Sequence, residues 1–166
     1  MRVMKATALG TYIGGDLVDR VGTLSGTPTA TYVAAKDTMT QSLAVTGLTT
    51  TGTVKAGSII EVTDNSRNRL NISTKQQILG NAGGVVKWRA TVTADVTMVA
   101  GAGTLVCAGP AIYETGDTSG YNTVSSALAS GDAIEILGTA STTYQPSMFF
   151  HKDAFTIGSA AQAVRY

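Results

Sequence analysis

Charged residues, cysteine and histidine are all scarce in this chain of 166 residues. Asp, Glu, Lys and Arg make up 14% of it, against about 25% in a typical soluble domain. The single cysteine excludes an internal disulfide, which fits a reducing compartment. No stretch approaches the roughly 18 consecutive apolar residues that a membrane-spanning helix needs. We therefore expect neither a membrane partner nor a signal peptide.

The formal net charge of +1 gives no electrostatic reason to expect a specific nucleic-acid site. Thr, Ser, Gly and Ala are abundant in place of charged residues, and this mixture is typical of strands with uncharged outer faces joined by tight turns. A surface with few charges can be covered by a neighbour without burying unpaired ions. Assembly into a larger structure is therefore a working hypothesis.

Two short stretches of the sequence are similar to each other: KAGSIIEV at residues 55–62 and ASGDAIEI at residues 129–136. Each has a glycine, Gly57 or Gly131, just before a run that alternates apolar and charged residues. Glycine permits the φ angles of a turn, and alternation sends every second side chain to the same face of a strand. The apolar positions are Ile60, Val62, Ile134 and Ile136, and the charged ones are Glu61 and Glu135. The pattern predicts an antiparallel sheet with one wet face.

The same alternation recurs over much of the chain and predicts an all-β fold, an antiparallel β-barrel or sandwich with extended flanking segments. We expect an extended N-terminal segment at residues 1–37, the barrel or sandwich at 38–140, and a linker with a returning strand at 141–166. The longest strand is expected at residues 85–98, with Trp88 in the core and Lys87 and Arg89 on the wet side. Residues 122–129 are expected to form one or two helical turns, since Val124 and Leu128 have i, i+4 spacing.

No group of residues has the layout of a catalytic site. His151, the only histidine, has no nucleophile in a suitable context, and a Ser-His-Asp site needs three groups brought together. Cys107 lies in an apolar stretch and is expected to be a small buried hydrophobe. The acidic pairs Asp16 with Asp19 and Glu114 with Asp117 lack the spacing of a known calcium loop. We expect no enzyme activity, cofactor or metal site.

Two loops carry the candidate contact residues. Arg67 and Arg69 form the densest basic spot in the sequence, inside a polar loop between two predicted strands. Glu114 and Asp117 lie in an acidic loop further along the chain. Loops of opposite charge are candidates for pairing across an interface between subunits. Changing both arginines to glutamate is expected to weaken assembly without unfolding the domain.

The order of several motifs resembles that of a known family. In sequence order they are GTVKAGSIIEV at residues 52–62, STKQQ at 73–77, WRATVT at 88–93, PAI at 110–112, YNTVSSALA at 121–129, AIEILG at 133–138 and FFHKDAF at 149–155. They resemble the middle portion of the major coat proteins of Salmonella-type short-tailed bacteriophages, over about residues 40–160. The resemblance rests on the order and spacing of the motifs, since none of them is highly specific alone.

The resemblance implies a Hong Kong-type capsid fold that carries an inserted antiparallel β-barrel. Residues near 38–112 would belong to the inserted barrel, residues near 121–160 would lead back to the capsid scaffold, and 1–37 would contact that scaffold. The strand at 149–157 would be part of the scaffold. A full coat subunit of this type is far longer. The chain is therefore interpreted as a coat fragment, as the product of a locus that keeps only the middle, or as a separate small virion protein.

The implied function is that of a structural capsid component located in the virion shell, and in the host cytoplasm during assembly. Its partners would be copies of itself or other coat subunits, with scaffolding or decoration proteins as further candidates and no small-molecule substrate. The alternative is a small virion decoration, tail or adaptor protein, or another non-catalytic β-sandwich binding module. A carbohydrate-active β domain is a more distant alternative, which would require exposed coplanar aromatic rings or converging acids.

Overall fold

The computed structural model describes residues 2–4, 12–13, 15–64, 66–144 and 148–150. The regular elements are β1 (Arg2–Met4), β2 (Tyr12–Ile13), β3 (Val21–Leu24), α1 (Tyr32–Ala35), β4 (Thr40–Thr46), β5 (Thr51–Val54), β6 (Ile59–Val62), β7 (Arg89–Val92), β8 (Val96–Val99), β9 (Gly103–Ala108), a 3-10 helix (Gly116–Tyr121), β10 (Ala133–Ile136), β11 (Thr143–Tyr144) and β12 (Met148–Phe150). The chain divides into two compact units, Ile13–Thr142 and Met1–Tyr12 together with Thr143–Tyr166.

A closed antiparallel barrel is the central feature of the unit Ile13–Thr142. Its strands follow the order β10, β3, β4, β9, β7 and β6, and β6 pairs with β10 to close the ring. Closure removes the unpaired edges that an open sheet would expose. The prediction of an all-β fold with an antiparallel barrel is confirmed. The barrel also takes β3 from the segment 1–37, so its first strand precedes residue 38.

The two similar stretches become neighbouring strands of the barrel. In the register of β10 on β6, Ile134 lies opposite Val62, Glu135 opposite Glu61, and Ile136 opposite Ile60. The four apolar side chains are buried, whereas Glu135 is exposed and Glu61 is partly exposed. The glycine before each strand has a positive φ, +90° at Gly57 and +86° at Gly131. The alternation and the turns predicted from the sequence are therefore confirmed.

The inward side chains of all six barrel strands form one hydrophobic core. Trp88 lies just before β7 and is 2% exposed, as predicted, and Cys107 is fully buried on β9. Other members are Leu24, Leu43, Val45, Ile60, Val62, Ala90, Val92, Leu105, Ile134 and Ile136. Leu17, Val124 and Leu128 belong to the same cluster although they lie outside the strands. The loops that carry these three residues therefore contribute to the core together with the strands.

The long strand expected at residues 85–98 is wrong in two respects, because residues 85–88 lie outside the regular strands and the chain turns at residues 93–95. β7 ends at Val92 and β8 begins at Val96, and β8 pairs with β5 in a separate antiparallel ribbon. The turn is held by Asp95, whose carboxylate accepts hydrogen bonds from the Ala56 backbone N–H (2.8 Å) and from Lys55 Nζ (2.7 Å). Asp95 thereby fixes the point at which the chain leaves the barrel.

The helical turns expected at residues 122–129 are absent, and a 3-10 helix instead occupies Gly116–Tyr121. The segment after it runs beside residues 66–70: Leu70 N donates to Thr123 O (2.9 Å), and Ser125 N donates to Asn68 O (2.9 Å). Val124 and Leu128 are both buried. Both side chains are therefore buried because an irregular segment packs against the core, and their i, i+4 spacing does not mark the face of a helix.

The unit formed by Met1–Tyr12 and Thr143–Tyr166 contains the pair β1 and β12, which is antiparallel with Val3 opposite Phe149. The resemblance implies a strand at residues 149–157, of which only residues 149–150 are described. His151 lies outside the described residues. Within the described part of the chain, no helix has the length and apolar character needed to cross a membrane.

Candidate functional site

Arg67 makes the most extensive side-chain contacts of the four candidate contact residues. Its Nε donates to Asp132 Oδ2 (2.7 Å) and its Nη2 to Asp132 Oδ1 (3.0 Å), while Nη1 donates to Ser126 Oγ (2.8 Å). The side chains of Arg67 and Asp132 are only 15% and 7% exposed. The hydrogen bonds to Asp132 raise the pKa of the Arg67 guanidinium. Within this chain Arg67 is therefore a structural residue that joins two loops.

Asp132 completes this network by accepting a third hydrogen bond, from the backbone N–H of Ala129 (2.8 Å). It lies in the turn that contains Gly131, directly before β10. A carboxylate with this many donors satisfies its charge although it is buried. The ion pair therefore connects the stretch after β6 to the turn before β10, at the end of the barrel where these two strands meet.

Arg69 is exposed and makes no ion pair with any described residue. It lies on the rim of a small surface cavity of about 120 Å³, which we call the Trp88 pocket. The wall of the cavity includes Trp88 and Pro110, which are buried, and Met39 and Ile72, which are 48% and 73% exposed. The pocket therefore combines an apolar interior with a free positive charge at its edge.

Arg89 is a second arginine on the rim of the Trp88 pocket. Its Nε donates to Glu61 Oε2 on the neighbouring strand, where the two residues lie directly opposite each other. Cross-strand pairs of opposite charge stabilise a sheet modestly. Glu61 also faces Glu135 on its other side, so Arg89 offsets a repulsion between two glutamates on the outside of the barrel.

Glu114 is half-buried beside Asn122, and two hydrogen bonds join them. Glu114 N donates to Asn122 Oδ1 (2.7 Å), and Asn122 Nδ2 donates to Glu114 O (3.0 Å). The Glu114 Oε2 atom is buried without a hydrogen-bond partner among the described residues. Asp117 is exposed in the first turn of the 3-10 helix. Of the acidic loop, only Asp117 has its side chain fully available to a partner.

The two candidate loops meet at one segment of the chain. The loop with Arg67 and Arg69 hydrogen-bonds to residues 123–126, and Glu114 hydrogen-bonds to Asn122 just before them. The structure therefore positions the basic and acidic loops along the same irregular stretch. Their role at a subunit interface stays a prediction.

Sequence reasoning missed two features of this region. Tyr32 and Tyr121 stack with ring centroids 3.8 Å apart and an interplanar angle of 9°, which joins α1 to the 3-10 helix. The Trp88 pocket was also missed, because Met39, Ile72 and Pro110 are far apart in the sequence. The exposed isoleucine in the polar stretch at residues 71–77 was the only local signal available.

The residues considered for catalysis or metal binding do not form a site in the described structure. Burial raises the pKa of the Cys107 thiol to about 12, so the thiolate nucleophile is scarce at neutral pH. Asp16 Oδ1 accepts from Thr53 N, and Asp19 Oδ1 accepts from Val21 N (3.2 Å), as turn residues do. No group of three His, Cys, Asp or Glu residues that could hold a metal occurs among the described residues.

Comparison with known proteins identifies the family. The family model described as "P22 coat protein - gene protein 5" matches residues 16–165. This chain belongs to the P22 coat protein family. The match includes every strand of the barrel and confirms the resemblance drawn from the order of the motifs. It does not favour the alternative of a decoration, tail or adaptor protein.

A curated relative is similar over most of the chain. The major capsid protein of Acyrthosiphon pisum secondary endosymbiont phage 1 is 32% identical over 155 residues, which are 92% of this chain and 36% of the relative. The chain thus spans little more than a third of the length of this relative. The barrel and its flanking residues correspond to part of that longer capsid protein.

Proposed function

We propose that this chain is a structural, non-enzymatic component of a bacteriophage capsid and acts through contacts between subunits. The observation that carries the proposal is the coat-family match over residues 16–165, which spans the entire closed barrel. The similar relative is a major capsid protein, which supports the same function.

The properties of the barrel suit a module that is presented on a shell. Its sheet is closed, so that no barrel strand offers a free edge for uncontrolled pairing with other chains. Its strands carry few charged residues, and two of these, Arg89 and Glu61, are paired with each other. Such a surface can be covered by a symmetric neighbour at a small electrostatic cost.

The proposed partners are copies of this chain or other coat subunits, and scaffolding or decoration proteins are additional candidates. The proposed location is the virion shell, with the host cytoplasm during assembly. Arg69 and Asp117 are the exposed candidates for contact with these partners, whereas the Arg67 side chain is bound within the chain and Glu114 is half-buried. In this proposal, the loops contribute to binding between subunits and not to chemistry.

The experiment is quantitative mass spectrometry of phage particles purified from cells that express this reading frame. Peptides from residues 16–142 are expected at the copy number of a shell protein, far above that of a portal protein in the same particles. An antibody against the folded chain is expected to label intact shells. Absence of the chain from particles, or a copy number equal to that of a portal or tail protein, would contradict the proposal.

A further inference from the structure

An exposed valine projects from one end of the barrel. Val18 is 80% exposed, more than any other large apolar side chain that the structure describes. It lies between two exposed carboxylates, Asp16 and Asp19. A single exposed apolar side chain is normal on a protein surface, and what distinguishes Val18 is the pair of exposed carboxylates beside it, whose charge favours a basic partner.

The loop that carries Val18 is held in place by hydrogen bonds. Arg20 Nη2 donates to Gly15 O (2.8 Å), and Arg20 Nε donates to Leu17 O (3.1 Å). Leu17 is 1% exposed and belongs to the core. Because the residue before Val18 is anchored in the core, the valine is presented from a fixed backbone, which reduces the entropy that binding would cost.

The Trp88 pocket has complementary size and charge. An apolar cavity of about 150 Å³ accommodates a six-carbon ring, so a pocket of about 120 Å³ is large enough for the three side-chain carbons of a valine. Burial of that side chain would also cover Ile72 and Met39, which are exposed at the rim. Arg69, also at the rim, has no carboxylate partner among the described residues.

The valine and the pocket lie at opposite ends of the barrel. Val18 precedes β3, whose first residue, Val21, pairs with Glu135 near the end of β10. Met39 precedes β4, and its carbonyl accepts a hydrogen bond from Gly109 directly after β9. Since all strand pairs are antiparallel, the start of β3 and the start of β4 are at opposite ends. Val18 therefore cannot reach the pocket of its own barrel.

We propose that Val18 of one copy inserts into the Trp88 pocket of a second copy, with Asp19 of the first meeting Arg69 of the second. The inference rests on the proposed function, because it makes a second coat subunit the occupant of the pocket. The two surfaces differ, so the contact is heterologous: each copy offers a valine to one neighbour and a pocket to another. Contacts of this kind generate rings or open arrays of subunits.

Cysteine cross-linking tests the geometry of this contact. The Val18→Cys and Ile72→Cys variants are purified separately, mixed and oxidised mildly, with native Cys107 excluded by its burial. We expect a disulfide-linked heterodimer. Val99→Cys is the matched control for Val18→Cys, since Val99 is 74% exposed and lies opposite Thr51, close to Thr49, whose backbone N–H donates to Asp19 O in the Val18 loop. Its mixture with Ile72→Cys is expected to remain unlinked. Equal yields from the two mixtures, or no heterodimer, would overturn the proposal.

A charge exchange tests the second part of the contact by sedimentation velocity. The Asp19→Lys and Arg69→Glu variants alone are each expected to self-associate at least about tenfold more weakly than the wild-type chain, because like charges then meet. Their mixture is expected to recover heterodimer formation, since opposite charges meet between unlike copies in both orientations of the contact. Failure of the mixture to recover association, with circular dichroism unchanged, would contradict the contact between Asp19 and Arg69.

The copy number of this chain in phage particles tests the capsid function independently of the cross-linking experiment. If the particles still contain this chain at the copy number of a shell protein but the cysteine pair does not form, the proposed contact is wrong and the capsid function stands. If the chain is absent from particles, the capsid function is wrong whatever the cross-linking shows.

Discussion

Arg67 and Asp132 form a bidentate ion pair that joins the stretch after β6 to the turn before β10. Both side chains are nearly buried, at 15% and 7% exposure. Removing one partner of a buried pair leaves the other charge uncompensated, which costs about 3–5 kcal/mol. From the sequence, Arg67 and Arg69 were expected to be equivalent surface residues. The ion pair shows that they have different roles.

The first prediction concerns this difference between the two arginines. Arg67→Ala is expected to lower the free energy of unfolding by about 3 kcal/mol, measured by urea denaturation. Arg69→Ala is the matched control and is expected to change it by less than about 0.5 kcal/mol, as exposed substitutions usually do. A similar loss in both variants would show that the ion pair does not hold the two loops together.

The second prediction concerns the turn glycine before β10. Gly131 has a φ of +86°, and a methyl group on its Cα would meet no other atom within 4 Å, so only the backbone conformation opposes a side chain there. Gly131→Ala is expected to cost about 1–2 kcal/mol, since a residue with a Cβ resists left-handed φ values. The loss is measured by thermal or urea unfolding.

Gly26 supplies the control for that substitution. A methyl group at Gly26 also meets nothing within 4 Å, but this residue does not have a left-handed φ. Gly26→Ala is expected to leave stability unchanged or to raise it slightly, because alanine restricts the unfolded chain. Equal losses at both positions would show that backbone conformation at Gly131 is not what requires glycine.

The third prediction follows from the burial of Cys107, which raises the pKa of its thiol from 9.0 to about 12. Below about pH 9, folded and unfolded chains both keep the proton, and the contribution of the thiol to stability is complete. Between about pH 9 and 12, only the unfolded chain releases it. The free energy of unfolding is therefore expected to fall with rising pH, by at most about 1.4 kcal/mol per pH unit from this group.

Cys107→Ala separates this effect from the titration of other groups in the alkaline range. The variant is expected to be less stable overall, because it loses core volume, but its stability is expected to fall less steeply from pH 9 to 12. Reaction of the native thiol with a thiol reagent at pH 8 is expected only after unfolding. Rapid reaction of the folded chain would contradict the burial of Cys107.

The local features of the fold were predictable because each depends on a few neighbouring residues. The alternation of Ile60, Glu61 and Val62 fixes which side chains are buried, and the preceding glycine fixes the turn. Which strands pair was not predictable, since the contact of β6 with β10 joins distant parts of the chain and depends on the whole barrel. The break after Val92 was missed for the same reason, because it depends on the contact of Asp95 with Lys55 and Ala56.

The same distinction between local features and distant contacts applies to the candidate site. The polarity of the loops with Arg69 and Asp117 indicated exposed side chains, and both are exposed. The ion pair of Arg67 was not visible, because Asp132 comes from a different loop and sequence spacing does not reveal it. The i, i+4 spacing of Val124 and Leu128 was misleading, since a segment held by hydrogen bonds to residues 68 and 70 buries the same side chains without forming a helix.

Closure of the barrel has a consequence for how the protein is made. β3 is among the first strands to be synthesised, yet its partner β10 is the last strand of the barrel. During translation, one side of β3 therefore remains unpaired until β10 has left the ribosome. A topology with such distant pairing folds slowly, and the nascent chain is vulnerable to aggregation in the interval.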